Sequence, residues 1–260
     1  MKNKHLKHMA TSVAITLFAL ATPFAATSGL EVMQEVYTRD SGNNMSANLV
    51  MTLTNSRGST RERSIQQFRQ TDDGGEKKIM FFLAPSDVKD TSFLSYSYSD
   101  GRSDDQWIYL PALKRTKRIS SDGKSDSFMG SDFTYDYLGD RHPNQDNHKL
   151  LREETVDGKD CYVVESTPKE DDYMYSKTIT WVMKDNYLGL KREFYDDRGK
   201  LLKVLTIKKY EKVDGFWTIL ETEMHNVQKD HRTNMKFTDV QKNKGIPNSK
   251  FTERSMMLGS

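Results

Sequence analysis

From residue 44 onward the chain alternates. Met45, Ala47, Leu49, Met51 and Leu53 are apolar, while Ser46, Asn48, Thr52 and Thr54 between them are polar. A period of two places one set on each face of an extended segment, so this stretch predicts a half-buried strand. "KTITWVMK" (Ile179, Trp181, Met183) and "NMKFTDV" (Met235, Phe237) repeat the pattern. Asp–Gly pairs at 73/74, 100/101, 157/158 and 214/215, with Gly58 and Gly199, supply regularly spaced turns. Roughly ten strands on short connections predict a mainly β chain with a few helices (α+β): an antiparallel sheet curled into a barrel or part of one.

Two segments break this rhythm. Ser28 and Glu31 have the spacing of a capping box, and Leu30, Met33, Val36 and Tyr37 follow at helical intervals, predicting about three turns of amphipathic helix. "KKIMFFLA" is apolar on both faces, with Ile79, Phe81 and Leu83 on one and Met80 and Phe82 on the other. A sheet with one wet face has no use for such a strand. It is expected to be covered on both sides, or to meet a helix or another molecule.

The N-terminus has a different grammar. Lys2, Lys4 and Lys7 precede an almost unbroken apolar run from Met9 to Leu20, then small residues at Ala21, Ala25 and Ala26. This is the layout of a secretory signal peptide, expected to be cut near Ala26, and its apolar run is shorter than the roughly twenty residues that span a bilayer. The expected organisation is therefore a signal peptide over residues 1–26 and a single exported domain over residues 27–260. Cys161 is the sole cysteine, so neither an internal disulfide nor a lipid anchor just after the leader is expected. Without the leader lysines, 36 basic residues face 37 acidic ones, which gives no reason to expect nucleic acid as a partner.

Catalytic constellations are missing from the pattern. There is no G-x-S-x-G, no phosphate-binding glycine loop and no paired-cysteine spacing. His142 and His148 lie near Asp140 and Asp146, but without helical register and in a Pro/Asn-rich stretch that reads as a solvated loop rather than a metal site. His225 and His231 bracket a hairpin turn and read as surface residues. Cys161 opens the alternating strand "CYVVEST" and reads as a small buried hydrophobe. No enzyme, cofactor or metal is expected. Lys114, Arg115, Lys117 and Arg118 form a basic strand end, which either guards a sheet edge or contacts anionic headgroups or a partner.

"DSFMGSDFTYDYLG" (126–139) mixes aromatics with aspartates. A short helix starting at Ser131 puts Phe133 and Tyr137 on one side and Asp132 and Asp136 on another, and Gly139 ends it. Phe128 and Met129 precede it beside Gly130, a possible hinge. The segment is either a movable lid, with Phe128, Met129, Phe133 and Tyr137 on its inner side, or a permanent plug in the core.

Together, residues 104–139, "DCYVVESTPK" (160–169) and "GLEVMQEVY" (29–37) resemble the outer-membrane lipoprotein-sorting, LolA-like proteins of the bacterial periplasm. The resemblance extends from about Gly29 to Phe251, and is to the branch associated with RND/MMPL-type exporters. It implies an incomplete barrel closed by a helical lid, an activity of carrying the acyl chains of a lipid or lipoprotein, and an inner-membrane exporter as partner. In that family an early-strand arginine holds the lid. Arg69 lies in a comparable strand, but "QQFRQT" does not keep the family's lysine-arginine-proline pattern, and the role is not carried over.

Strand parity then nominates Phe81, Leu83, Leu94, Tyr96, Trp107, Tyr109, Trp181 and Phe194 as cavity lining. Arg192 shares parity with Leu190 and Phe194, and needs a partner there: a ligand headgroup, or Glu221 or Glu223, the acids being favoured. The expected function is a monomeric periplasmic carrier of a lipid or lipoprotein. A sensor or exporter adaptor is the first alternative, and a lipid-modifying enzyme the second.

Overall fold

The computed structural model describes residues 27–259; the expected leader and its cleavage point lie outside the described residues. Helix α1 (Gly29–Thr38) leads into β1 (Asn44–Thr54), β2 (Thr60–Asp72), β3 (Gly75–Ala84), β4 (Ser92–Tyr98), β5 (Asp105–Leu110) and β6 (Arg115–Arg118). After a long connection holding α2 (Tyr135–Leu138) come β7 (Asp146–Val156), β8 (Lys159–Pro168), β9 (Lys177–Met183), β10 (Gly189–Tyr195), β11 (Leu201–Val213), β12 (Phe216–Asn226) and β13 (His231–Lys242). Helix α3 (Glu253–Leu258) follows.

All thirteen strands join one antiparallel sheet in the order β6-β5-β4-β3-β2-β1-β13-β12-β11-β10-β9-β8-β7. Two meanders, one from each half of the chain, are sewn together where β1 pairs with β13, with Met51 opposite Met235. Strands β6 and β7 are the two free edges, so the sheet is open, as the family resemblance implies, with thirteen strands in place of about ten. The additional strands include short or charged ones such as β6 ("RTKR"), which have no apolar alternation to announce them.

Turn chemistry behaves as its residues dictate. Asp157–Gly158 and Asp214–Gly215 each connect two strands as a two-residue turn with positive φ at both positions (49° and 73°; 49° and 90°). That is the hairpin geometry the twist of the strands favours, and glycine at its second position carries no steric cost.

The sheet's two faces differ. Leu49, Met51, Ile65, Met80, Phe82 and Phe93 from the first meander meet Phe194, Leu205, Met224 and Met235 from the second in one buried cluster. Contact between strands so distant in the sheet requires curvature, so this is the concave face. Helix α1 lies on the same side, packing Val32 and Met33 against Val164 and Val182. The predicted capping box is present: Ser28 Oγ accepts from Glu31 N–H, and Glu31 accepts from Ser28 N–H at 2.7 Å. Gly29 permits the close approach of α1 to β7, since a Cβ there would fall 2.7 Å from Leu150 N.

The outer face of β3–β5 carries a second cluster, with Ile79, Phe81 and Leu94 buried beneath Phe251 and Met256 of the C-terminal segment. "KKIMFFLA" is thus covered on both sides, by the main core within and by the C-terminal segment without. Ser92 Oγ donates to Met256 O (3.0 Å) and Tyr96 OH to Phe251 O, fixing that cover to β4. Among the described residues, no helix is long and apolar enough to cross a membrane.

Candidate functional site

The connection from β6 to β7 runs from one free edge of the sheet to the other and contributes to the concave core. Its residues 128–138 form a strap whose Phe128 and Phe133 are 0% and 1% exposed, buried among Met80, Phe82, Phe93 and Met235. Beside the strap, the rest of the hollow remains as a cleft of about 740 Å³. Met33, Val36 and Tyr37 of α1 line it, with Tyr137, Tyr173, Tyr175 and Phe194. Polar and charged groups also line it, among them Arg69, Glu76, Asp136, Asp140, Arg141, Asp146, His148, Ser166, Thr178 and Arg192. The volume is within the range of about 300–1,000 Å³ typical of ligand sites.

Cross-strand register explains this mixture. Across β7–β10 one rung holds His148, Ser166, Thr178 and Phe194, and the next holds Leu150, Val164, Thr180 and Arg192. All point into the hollow. His148 is fixed by contacts from both ring nitrogens, Nδ1 to Ser166 Oγ and Nε2 to Pro143 O, each 2.8 Å. Burial holds its pKa below the ordinary imidazole value, so at neutral pH Nε2–H donates to the carbonyl and Nδ1 accepts from the serine. Arg141 grips Asp146 through two nitrogens (3.0 and 2.7 Å) and lies over the Tyr173 ring.

A charged cluster closes the opposite wall. Glu76 contacts Lys78 (3.0 Å) and Arg69 (3.4 Å). Burial pushes its carboxyl up, but these two cations outweigh burial and hold it below the usual range. Asp140 opens onto the cleft without such a partner, and the surrounding protein together with the charge of Glu76 pushes it up to about 6. Arg69 also donates to Ser41 O (3.1 Å) and Oγ (2.9 Å), tying down the loop that follows α1. Lys242 reaches the same Ser41 carbonyl at 2.7 Å, and burial with Arg69 and Arg39 close by pushes it down to about 8.

The strap is riveted rather than loosely laid. Asp132, its side chain 5% exposed, accepts from Thr233 Oγ1 (2.7 Å) and contacts His231 Nδ1 (2.7 Å), while its backbone N–H donates to Thr233 Oγ1 (2.9 Å). Lys203 Nζ donates to Asp132 O (2.8 Å), Gln106 to Tyr135 O (2.9 Å), Lys78 to Leu138 O (2.9 Å) and Arg63 to Met129 O. The bend expected at Gly130 exists, with positive φ at Met129 and Gly130 (51° and 75°). The expected helix does not begin at Ser131. Thr134 caps it, because its hydroxyl accepts from Tyr137 N–H (3.2 Å), and only Tyr135–Leu138 are helical. Phe133 and Tyr137 still meet, with ring centroids 5.0 Å apart. Of the four residues expected on the strap's inner side, Phe128 and Phe133 are buried, Met129 is half-buried against the core, and Tyr137 alone lines the cleft.

Of the expected cavity residues, Arg192 and Phe194 line the cleft. Phe81, Leu94, Tyr96, Trp107 and Tyr109 share a face as their parity predicts, but it is the outer one, under the C-terminal segment. Leu83 is of the same parity and is 39% exposed. Trp181 pairs with Lys191 while Thr180 pairs with Arg192, so the tryptophan points away from the hollow and packs with Cys161, Val163 and Met183. Parity shows which residues share a face. It does not show which face curls inward.

Other expectations need correction too. His148 is a half-buried strand residue rather than part of a solvated loop, and His231 contacts a buried aspartate. Arg192 meets neither Glu221 nor Glu223; it donates to Thr180 Oγ1 at 2.9 Å. Cys161, by contrast, is fully buried as expected of a small hydrophobe, and burial raises its thiol pKa. Lys114, Arg115, Lys117 and Arg118 lie on or beside the free edge strand β6, exposed, with Arg118 paired to Asp105. Glu76 and Lys78 were missed, although a signal was available. They share parity with Met80 and Phe82, and a charge on an apolar parity is what singled out Arg192.

Comparison with known proteins places this geometry. The profile of the family described as "Protein of unknown function (DUF1329)" matches residues 2–140, and a second profile, described only as "Uncharacterized protein", matches residues 74–257. No curated protein matches the chain. A crystal structure from Vibrio parahaemolyticus, provisionally described as an outer membrane lipoprotein-sorting protein domain, is 36% identical; the match covers 88% of this chain and 98% of that one, with a TM-score of 0.83. A DUF1329 family protein from Desulfovibrio piger is 29% identical over 88% of this chain and 97% of its own, with a TM-score of 0.82. A LolA superfamily protein from Nitrosomonas europaea has the same fold at 18% identity, covering 88% of this chain and all (100%) of that one, with a TM-score of 0.69. A profile match over more than half of the chain, and a relative of this identity along nearly its whole length, establish that the chain belongs to the DUF1329 family and has a LolA-like fold.

Proposed function

We propose that the protein is a non-enzymatic periplasmic carrier that holds an acyl chain of a lipid or lipoprotein in the concave cleft and moves it through the envelope. The cleft of about 740 Å³, floored by Met33, Val36, Tyr137, Tyr175 and Phe194, carries this reading. Burying a methylene is worth about 0.8 kcal/mol, so a tail of some fourteen carbons supplies on the order of 10 kcal/mol before ordering costs. No strong polar contact is needed for the tail itself. The description of the Vibrio relative, in lipoprotein sorting, agrees with the reading. On this view the tail lies beside a fixed strap, not under an opening lid. The basic edge at Lys114, Arg115, Lys117 and Arg118 meets anionic headgroups or an exporter of the RND/MMPL type.

Val36 tests the reading because it is half-buried and lines the cleft. Val36→Asp is expected to weaken binding of a fluorescent fatty acid by at least about tenfold, since a carboxylate displaces the tail or is itself desolvated. Unchanged binding by the folded variant refutes the cleft as the acyl site. Transfer of labelled lipid between donor and acceptor vesicles distinguishes a carrier from a sensor, which binds without exchanging.

A further inference from the structure

We propose that Arg192 is the anchor for an oxyanion, a phosphate or carboxylate, at the head of the amphiphile held in the cleft; this rests on the carrier reading above. Arg192 stands in a rung whose other members are Leu150, Val164, Leu205 and a single hydroxyl, that of Thr180. Its Nε donates to that hydroxyl, which fixes the plane of the guanidinium. Among the described residues no carboxylate lies within 4 Å of it, and neither terminal nitrogen has a hydrogen-bond partner.

The nearby acids of the cleft are already engaged: Asp146 by Arg141, and Asp136 by the Tyr173 hydroxyl at 2.5 Å. Glu223 sits 3.5 Å from Lys208, and Glu221 accepts from Asn234. Arg192 is half-buried in the wall of the cleft, so its guanidinium is placed to meet an anion that enters. What remains open on Arg192 is the terminal pair of nitrogens, and arginine matches carboxylate and phosphate through such pairs of parallel hydrogen bonds. The Tyr137 and Thr178 hydroxyls line the same cleft and can donate to the remaining oxygens. From that point the tail runs over Phe194 and Tyr137 towards Met33 and Val36.

Calorimetric titration of wild type, Arg192→Gln and Arg192→Lys with tetradecanoate, tetradecanol and inorganic phosphate tests the assignment. Wild type is expected to bind tetradecanoate at least about tenfold tighter than tetradecanol, the scale of a charge-assisted pair. Arg192→Gln should lower tetradecanoate affinity to that of tetradecanol and so erase the preference, and Arg192→Lys should restore part of it. Equal affinity of wild type for acid and alcohol overturns the anchor and leaves the carrier reading intact. So does an unchanged tetradecanoate affinity in Arg192→Gln. Inorganic phosphate binding as tightly as tetradecanoate makes this a free-anion site and overturns the headgroup role. If neither amphiphile binds wild type, the carrier reading falls and the anchor with it. Should Arg192→Gln fail to fold, the wild-type preference and the Arg192→Lys variant decide.

Discussion

Replacing Asp132 by alanine removes the rivet between the strap and the second meander, and the structure sets the size of the loss. Two side-chain contacts disappear, from the fully buried Thr233 hydroxyl (2.7 Å) and from His231 (2.7 Å). Hydrogen bonds to a charged group contribute about 1.5–3 kcal/mol each; the histidine, 25% exposed, belongs at or below the bottom of that range. Lys203, 7% exposed, loses in addition the carboxylate that offsets the effect of its burial. The expected destabilisation is about 3 kcal/mol, which in a domain of this size lowers Tm by roughly 6–12 °C. Urea unfolding monitored by tryptophan fluorescence measures it, with the slope showing whether the transition stays two-state. A double-mutant cycle with Thr233→Val should return a coupling of about 1–2 kcal/mol. A loss below about 1 kcal/mol refutes the rivet. So does exchange of the 128–138 amides faster than that of the flanking strands, because a strap that opens locally is a lid.

Asp140 predicts a pH signature. Its folded pKa of about 6 lies above the unfolded value near 4, so between these limits the native state binds more protons than the unfolded one, and its contribution to stability falls as pH rises through this window. Asp140→Asn should therefore be more stable than wild type at pH 7.5, with the gain shrinking as pH falls from about 6 to about 4; a gain independent of pH contradicts the assignment. At the outer face, Phe251→Ala removes a ring that is 1% exposed above Phe81 and Leu94, and should cost about 3–5 kcal/mol in chemical denaturation. A loss under 1 kcal/mol would mean that the C-terminal segment does not cover β3–β5.

Local features came through from sequence where the cause is itself local. Ser28 and Glu31 cap α1 through groups three residues apart, and Asp157–Gly158 turns β7 into β8 through its own backbone preferences. The long alternation in β1 survives because its pattern reports a single buried face. The strap's chemistry was legible as an aromatic, aspartate-bearing segment near the core, but its helix begins four residues after the expected Ser131, at Tyr135, because the Thr134 cap decides the start.

The site was less legible because curvature is not a property of any one strand. The same alternation describes Phe81, Leu94 and Trp107 whether their face curls inward or outward, and only the curvature of the assembled sheet sets which side encloses the hollow. Likewise Glu76, Lys78 and Arg69 become a cluster only when β2 and β3 are in register, and Asp132 finds Thr233 across 101 positions of sequence. The sequence by itself determined the antiparallel sheet, the capped first helix and the intrusion of Arg192 on an apolar parity, since short-range periodicity and spacing encode these. Tertiary structure alone decided which face became the cleft and which charges found partners there, because both follow from distant segments brought together by the curvature of the sheet.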